Sequence, residues 1–243
     1  MDFERYVSAL STADAGKVAE SDSTLKSLRD KLPDVVDIKM SVAFNLERRG
    51  EDEQAAHEFK RVIEQDPSNP SAHFELGSCY FRLRQYSDAI KQLEAALAIE
   101  PWFTRADEAL AEIYIQEKAY TQARAHLNHM LSVDPTSYTA NYNLGIMAAM
   151  EKNWSEAQQR MLRALHTDPG SAEAHTTLGS IYLQRDATER AVHEFEEAIH
   201  LQPNFAAAHY NLGLVFQKQG KSEEAAREFR AAQESDRSAG HQR

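Results

Sequence analysis

Histidine is the residue type in this sequence that most readily suggests a metal or catalytic site, since imidazole binds metals and titrates near neutral pH. The chain contains ten histidines. His126 and His129 are three positions apart, so their side chains could meet on one helix face. No carboxylate or cysteine ligand is evident beside them in the sequence. We therefore interpret them as a surface pair and predict no metal site.

Other histidines share one phase of the sequence. His73, His175 and His209 are separated by multiples of 34 residues, and each precedes a leucine by three positions. We predict that these three histidines are partly buried packing residues rather than ligands.

Two further features could indicate catalysis, and neither has the necessary context. Gly220-Lys221-Ser222 resembles the end of a phosphate-binding loop, but that motif requires a glycine where Val215 stands and a strand before it. Cys79 lies within a helical apolar pattern, so we predict a small core residue rather than a nucleophile. The His-Glu-x-x-His, Gly-x-Ser-x-Gly and Gly-x-Gly-x-x-Gly motifs are absent. We predict no catalytic residues, no cofactor and no enzymatic activity.

The composition favours an all-α protein. Of the 243 residues 42% are hydrophobic, while nine glycines and seven prolines are few for a chain of this length. Ala, Leu, Glu, Gln, Lys and Arg dominate, and these residues favour helices.

The charge and the terminus limit partners and location. The net charge of −11 argues against nucleic acid or an anionic membrane as a general partner. A single cysteine excludes an intramolecular disulfide. The N-terminus lacks a signal-peptide core, and no apolar run is long enough to insert in a membrane. We therefore expect a cytoplasmic protein.

A period of 34 residues runs through the sequence. It is set by prolines at 34-residue intervals: Pro33, Pro67, Pro101, Pro135, Pro169 and Pro203. A small residue recurs in the same register at Ala43, Gly77, Ala111, Gly145, Gly179 and Gly213. A second small column is alanine in all six copies: Ala55, Ala89, Ala123, Ala157, Ala191 and Ala225. Such self-similarity indicates a repeat architecture.

The spacing within each copy predicts a helical hairpin. Apolar residues fall three, four and seven positions apart, which places them on one helix face. Small residues allow two helices to approach closely, and proline ends the second helix. A single hairpin cannot bury its apolar face, so neighbouring copies must stack.

These columns resemble the tetratricopeptide repeat family. The closest copy has Leu178-Gly179-Ser180-Ile181-Tyr182 in its first helix, followed by Ala191, Phe195, Ala198 and Pro203. The resemblance implies an all-α fold, a right-handed α-α superhelix of stacked hairpins. It also implies a protein that binds a peptide or a partner protein rather than a catalyst.

The register divides the chain into successive segments of one continuous solenoid. We predict a degenerate N-terminal hairpin or cap over residues 1–35 and a disordered tail over 240–243. Between them lie six repeats: 36–69, 70–103, 104–137, 138–171, 172–205 and 206–239.

In the family, first helices line a concave groove, and the register identifies the residues that face it. In the N-terminal half these are charged with both signs mixed, whereas the C-terminal half is nearly uncharged. Amides suit the backbone of an extended peptide, and apolar side chains suit its anchors. The predicted partner-binding residues are Tyr142, Asn143, Ile146, Thr176, Thr177, Leu183, Tyr210, Asn211 and Leu214.

Two alternatives remain open at this point. The chain could be a fragment of a larger enzyme, since O-linked N-acetylglucosamine transferases carry a similar superhelix as a recognition arm. It could also be a self-associating scaffold that forms homo-oligomers.

Overall fold

The computed structural model describes residues 2–14 and 16–240. These residues form fourteen α-helices and no strand. The helices are α1 (Asp2–Asp14), α2 (Val18–Lys31), α3 (Val36–Arg48), α4 (Asp52–Gln65), α5 (Pro70–Arg82), α6 (Tyr86–Ile99), α7 (Thr104–Gln116), α8 (Tyr120–Val133), α9 (Tyr138–Met150), α10 (Trp154–Thr167), α11 (Ala172–Gln184), α12 (Thr188–Leu201), α13 (Ala206–Lys218) and α14 (Ser222–Gly240). Gly240, predicted to begin the tail, is the last residue of α14, and residues 241–243 lie outside the described residues.

Consecutive helices pair as hairpins, and the hairpins stack within each unit. α3 packs on α4, α5 on α6, α9 on α10, α11 on α12 and α13 on α14. Second helices also contact the first helix that follows, as α10 contacts α11 and α12 contacts α13. The predicted all-α class of stacked helical hairpins is confirmed. α1 and α2 form a hairpin as well, although they lack the repeat signature.

The chain forms two compact units, Met1–His129 and Met130–Arg243. The first unit holds α1 to α7 and most of α8, and the second holds the end of α8 and α9 to α14. No structural observation tests the predicted repeat boundaries, which stay a prediction.

The two helices of a hairpin approach most closely at the first column of small residues, the one that includes Gly145 and Gly179. A Cβ atom on Gly179 would lie 2.6 Å from the Phe195 ring, and one on Gly145 would lie 2.6 Å from the terminal methyl of Met161. Both facing side chains are fully buried. Glycine thus allows a large side chain of the second helix to pack directly on the backbone of the first.

Each hairpin turn closes through the same backbone motif. In the third hairpin, Gln85 N–H donates to the carbonyl of Tyr80, and Arg84 N–H donates to that of Phe81. These two bonds define a Schellman motif, which requires a left-handed residue after the helix. That residue recurs every 34 positions: Gly16, Gly50, Arg84, Lys118, Lys152, Asp186 and Gly220, with φ between 57° and 81°. Gly220 therefore belongs to a hairpin turn and not to a phosphate-binding loop.

Candidate partner-binding surface of the second unit

The predicted partner-binding residues lie on the three first helices of the second unit. α11 contacts both α9 and α13, so the three helices are neighbours. We call their solvent-facing side the first-helix surface, defined by the nine predicted residues from Tyr142 to Leu214. The structure places these nine residues in quite different environments.

The polar residues of this surface differ in their free hydrogen-bonding capacity. The Asn143 Nδ2 atom donates to the Thr139 carbonyl at 2.9 Å, and the Thr177 Oγ1 atom donates to the Glu173 carbonyl at 2.9 Å. The side chain of Asn211 makes no hydrogen bond within the described part of the chain. The Asn211 amide therefore has its full donor and acceptor capacity available to a ligand, whereas one of the two N–H donors of Asn143 is already engaged.

Thr176 is buried rather than surface-exposed. It retains only 7% of its accessible area, and its Oγ1 atom has no hydrogen-bond partner. α11 packs between α9 and α13, which covers this position. Thr176 thus contributes to the packing beneath the surface and offers little area to a ligand.

The aromatic and aliphatic residues of α9 and α11 are half-buried. Tyr142 stacks on Tyr138 with ring centroids 5.5 Å apart, and the Tyr138 hydroxyl hydrogen-bonds Ser171 Oγ at 2.7 Å. Burial raises the pKa of Tyr138, so its hydroxyl stays protonated at neutral pH. Tyr142, Ile146 and Leu183 all pack against the main core cluster of this unit.

The most exposed apolar residues of the surface are on α13. Tyr210 is 53% exposed and Leu214 is 40% exposed. A pocket of about 750 Å³ is lined by Ala206, Ala207, Tyr210, Leu214, Gln217, Phe229, Ala232, Gln233 and Asp236. A second pocket of about 480 Å³ brings Leu183 and Leu214 together. Leu214 thus lines both pockets, whereas Tyr142, Asn143, Ile146, Thr176 and Thr177 line neither.

The first helices of the first unit carry charges that pair with one another. Arg82 hydrogen-bonds Glu47 and also contacts Asp52 at 2.6 Å, and Arg105 lies 3.6 Å from Glu75. Burial raises the pKa of Glu75, and the neighbouring charge of Glu47 raises it further. These side chains are occupied by intramolecular contacts.

Cys79 lies beneath this charged cluster. It is fully buried, as predicted, and its thiol donates to Glu47 Oε1 at 3.4 Å. Burial raises the pKa of the thiol, and the carboxylate of Glu47 raises it further. The protonated, inaccessible thiol is a poor nucleophile.

Sequence reasoning missed the carboxylate that holds His126 and His129. Asp107 is 1% exposed, and its two oxygens accept from the Nδ1 atoms of His126 at 2.9 Å and His129 at 2.7 Å. Asp107 is on α7, the preceding helix, so it is distant from the pair in sequence. The sequence contained one sign of this contact. Asp107 lies 34 residues after His73, so it occupies the same repeat position as His73, His175 and His209.

That phase forms a hydrogen-bonded column along the chain. At the three histidine positions the partner is 19 residues later, on the second helix: His73 bonds Gln92, His175 bonds Glu194 and His209 bonds Glu228, at 2.7–2.8 Å. The other ring nitrogen of each histidine reaches the carbonyl of the column proline, as His209 Nε2 reaches Pro203 at 2.9 Å. The three histidines are partly buried or buried, as predicted, and tie a first helix to its hairpin partner and to the preceding turn.

Across residues 2–14 and 16–240, no cluster of three or more His, Cys, Asp or Glu side chains is arranged to hold a metal ion. In the same ranges, no helix is both long and apolar enough to cross a membrane.

Four sequence models of tetratricopeptide repeats match the chain. The one described as "TPR repeat" matches residues 179–220. Three others are described as "Tetratricopeptide repeat". One matches residues 45–103, one matches both 84–144 and 114–181, and one matches 206–238. Together they extend over most of the chain. No curated protein matches the sequence.

Solved structures with the same fold have low sequence identity. A tetratricopeptide repeat protein from Parabacteroides merdae is 18% identical with a TM-score of 0.71, over 96% of this chain and 93% of that one. Pseudomonas aeruginosa PilF is 15% identical with a TM-score of 0.73, over 85% and 94%. YrrB, described as having an unusual peptide-binding site, is 21% identical with a TM-score of 0.61, over 76% and 95%. These similarities show the fold alone.

Proposed function

Since the chain belongs to the tetratricopeptide repeat family, we propose that it is a non-catalytic scaffold that binds a peptide segment of a partner protein. The binding site is the first-helix surface of the second unit. Proteins of this fold serve generally as interaction scaffolds, and YrrB is one whose description names a peptide-binding site. The partner is a protein, with neither nucleic acid nor a membrane involved.

One observation carries this proposal. Leu183, Leu214 and Tyr210 are apolar side chains left accessible beside pockets, and the unpaired amide of Asn211 lies on the same helix as two of them. Such a combination can accommodate apolar side chains of a peptide while the amide bonds its backbone. Tyr142, Asn143 and Ile146 extend the surface along α9, where Asn143 offers its carbonyl oxygen and one N–H, because its other N–H donates to Thr139.

A displayed library of random peptides tests the proposal without knowledge of the natural ligand. Peptides selected on the wild-type chain are titrated against Leu183→Asp, Asn211→Ala and Asn143→Ala variants. Leu162→Asp is the matched control, since Leu162 is 45% exposed on α10 and lines neither pocket. We expect affinity to fall about tenfold or more for Leu183→Asp. We expect a clear loss for Asn211→Ala, a smaller one for Asn143→Ala and none for Leu162→Asp.

If the selected peptides bind Leu183→Asp and Asn211→Ala as tightly as the wild type, the proposed surface is not the binding site. Failure to select any saturable peptide ligand would contradict the proposal as a whole.

A further inference from the structure

The second helix begins with an aromatic residue in three consecutive hairpins and with a threonine in the next. The aromatic residues are Tyr86, Tyr120 and Trp154, the first residues of α6, α8 and α10. All three are half-buried. Thr188 is the first residue of α12 and occupies the same position of the 34-residue repeat. The hairpin of α11 and α12 therefore lacks a ring that the three hairpins before it carry.

The contacts of Tyr86 show where this ring lies. It packs on the ring of Phe81, with centroids 5.9 Å apart, and both rings pack against the core cluster that contains Ile113. The Tyr86 hydroxyl donates to Gln116 Oε1 at 3.1 Å. Since Phe81 is on α5 and Gln116 is the last residue of α7, the tyrosine bridges two consecutive hairpins.

The corresponding place in the second unit is a pocket. The four residues that make these contacts in the first unit have counterparts three repeats later: Leu183, Thr188, Val215 and Lys218. All four line the pocket of about 480 Å³, whose other lining residues are Gln184, Glu189, Leu214 and Gln219. A threonine side chain is too short to fill the space of a tyrosine ring. The lining residues come from α11, α12, α13 and the residue after α13, so two consecutive hairpins enclose the pocket.

The pocket lining combines apolar side chains with a free charged donor. Val215 is buried and Leu183 is half-buried, whereas Lys218 is exposed. Within residues 2–14 and 16–240, the Lys218 ammonium group has neither an ion pair nor a hydrogen bond. An ammonium group can donate to a tyrosine hydroxyl. The pocket thus offers apolar contact for a ring and a polar partner for its hydroxyl, at the position where Gln116 serves Tyr86.

We propose that this pocket binds a tyrosine side chain of the partner peptide, in the place that Tyr86 takes in the first unit. The ring packs against Leu183 and Leu214, and the hydroxyl accepts from Lys218. This inference deepens the proposed function and rests on it, because it names a residue of the bound peptide. Leu183 and Leu214 belong both to the first-helix surface and to the pocket, so the two sites are continuous.

Peptides selected on the wild-type chain from the displayed random library serve as probes, and fluorescence anisotropy gives their affinities. The pocket variant is Thr188→Tyr, which introduces the residue that begins α6 and α8. Because the new ring fills the pocket, we expect the selected peptides to bind this variant about tenfold or more weakly. The matched control is Ser222→Tyr, an equivalent change at the same repeat position of α14. Ser222 is exposed and does not line the pocket, so this control should bind as the wild type does.

Alanine in place of the peptide tyrosine tests whether that tyrosine is the occupant. It should weaken binding to the wild type about tenfold or more. The same peptide change should have little effect on binding to Thr188→Tyr, because the two changes remove one contact.

A second variant tests the hydroxyl contact independently of the filled pocket. Phenylalanine in place of the peptide tyrosine should weaken binding to the wild type about three- to tenfold. It should not weaken binding to Lys218→Met, which has no donor for the hydroxyl. Lys218 is exposed, so we expect this variant to fold, and circular dichroism verifies the folding of every variant.

Selected peptides that share no tyrosine, or that bind Thr188→Tyr as tightly as the wild type, overturn the inference. If such peptides still lose affinity for Asn211→Ala, the proposed function stands and only the tyrosine pocket is refuted. If no peptide binds the wild type saturably, the inference and the proposed function fail together.

Discussion

At the scale of single residues, the column of small side chains sets how closely the two helices of a hairpin approach. Gly179 has no room for a Cβ atom, since that atom would lie 2.6, 2.9 and 3.0 Å from three carbons of the Phe195 ring. Phe195 is fully buried and cannot move into solvent. The glycine is therefore required by packing, whereas a glycine in a loop can tolerate a methyl group.

We expect Gly179→Ala to lower the free energy of unfolding by about 1–3 kcal/mol, the usual cost of overpacking a core. Urea denaturation measures the change. Gly170→Ala is the control, because its Cβ would make only an ordinary 3.4 Å contact with Asp168, and it should change stability by less than about 0.5 kcal/mol. Equal effects of the two substitutions would show that the close approach is not limiting.

Glu75 links the stability of the first unit to pH. Burial and the charge of Glu47 raise the pKa of Glu75 above the ordinary carboxyl value of 4.5. The folded state then binds more protons than the unfolded state in the window above that value, so the free energy of unfolding contributed by Glu75 decreases as pH rises through it.

We expect Glu75→Gln to become increasingly stabilising relative to wild type as pH rises from about 4 to 7. Denaturant unfolding at a series of pH values gives the difference directly. Glu53→Gln, at an exposed position of α4, controls for the loss of one negative charge. A stability difference that is constant over the series would contradict this account of Glu75.

At the scale of the secondary-structure elements, the hairpin turns are uniform in backbone and variable in residue type. All six turns from Gly50 to Gly220 use a left-handed residue, but only two of the six are glycine. A left-handed conformation costs an L-residue roughly 1–2 kcal/mol. The four non-glycine turns therefore retain strain that packing of the adjoining helices offsets.

Lys152→Gly should stabilise the chain by about 0.5–1 kcal/mol, because relief of the strain outweighs the added freedom of the unfolded chain. Gly220→Lys should destabilise it by a similar amount. A Cβ atom on Gly220 would meet nothing within 4 Å, so this reverse substitution changes only the backbone strain. Thermal or urea unfolding of both variants tests the pair, and a destabilising Lys152→Gly would disprove the argument.

At the scale of the whole molecule, helices make their substantial contacts with neighbours close in the sequence. α13, for example, contacts α14, α12 and α11. A fold held by neighbour contacts loses stability by steps when an end is removed, rather than failing completely.

We expect a chain that ends at residue 203, without α13 and α14, to keep its remaining helices and to unfold at a lower urea concentration. Removal of α13 uncovers Ala172, Phe195 and Ala198, which supplies the loss of stability. Circular dichroism gives the helix content before denaturation. Complete loss of helical signal in the shortened chain would show that the two last helices are needed for the fold as a whole.

Much of this fold could be predicted from the sequence because its contacts repeat with the sequence. The 34-residue columns identified the paired helices, the small residues at their closest approach and the burial of Cys79. Helix periodicity decides which residues share a face, and a repeated face must pack on its neighbour. The family and the general role of an interaction scaffold followed from the same columns.

Only the tertiary structure decided which equivalent residues are covered. Thr176 and Tyr210 occupy one repeat position, yet the first is buried and the second is exposed, because a helix packs on α11 and α12 whereas α14 is the last helix described. The bonds from His126 and His129 to Asp107 likewise join α8 to α7. The repeat register predicts which side of a helix a residue faces. The solvent exposure and the contacts of that residue depend on which other helices lie against it.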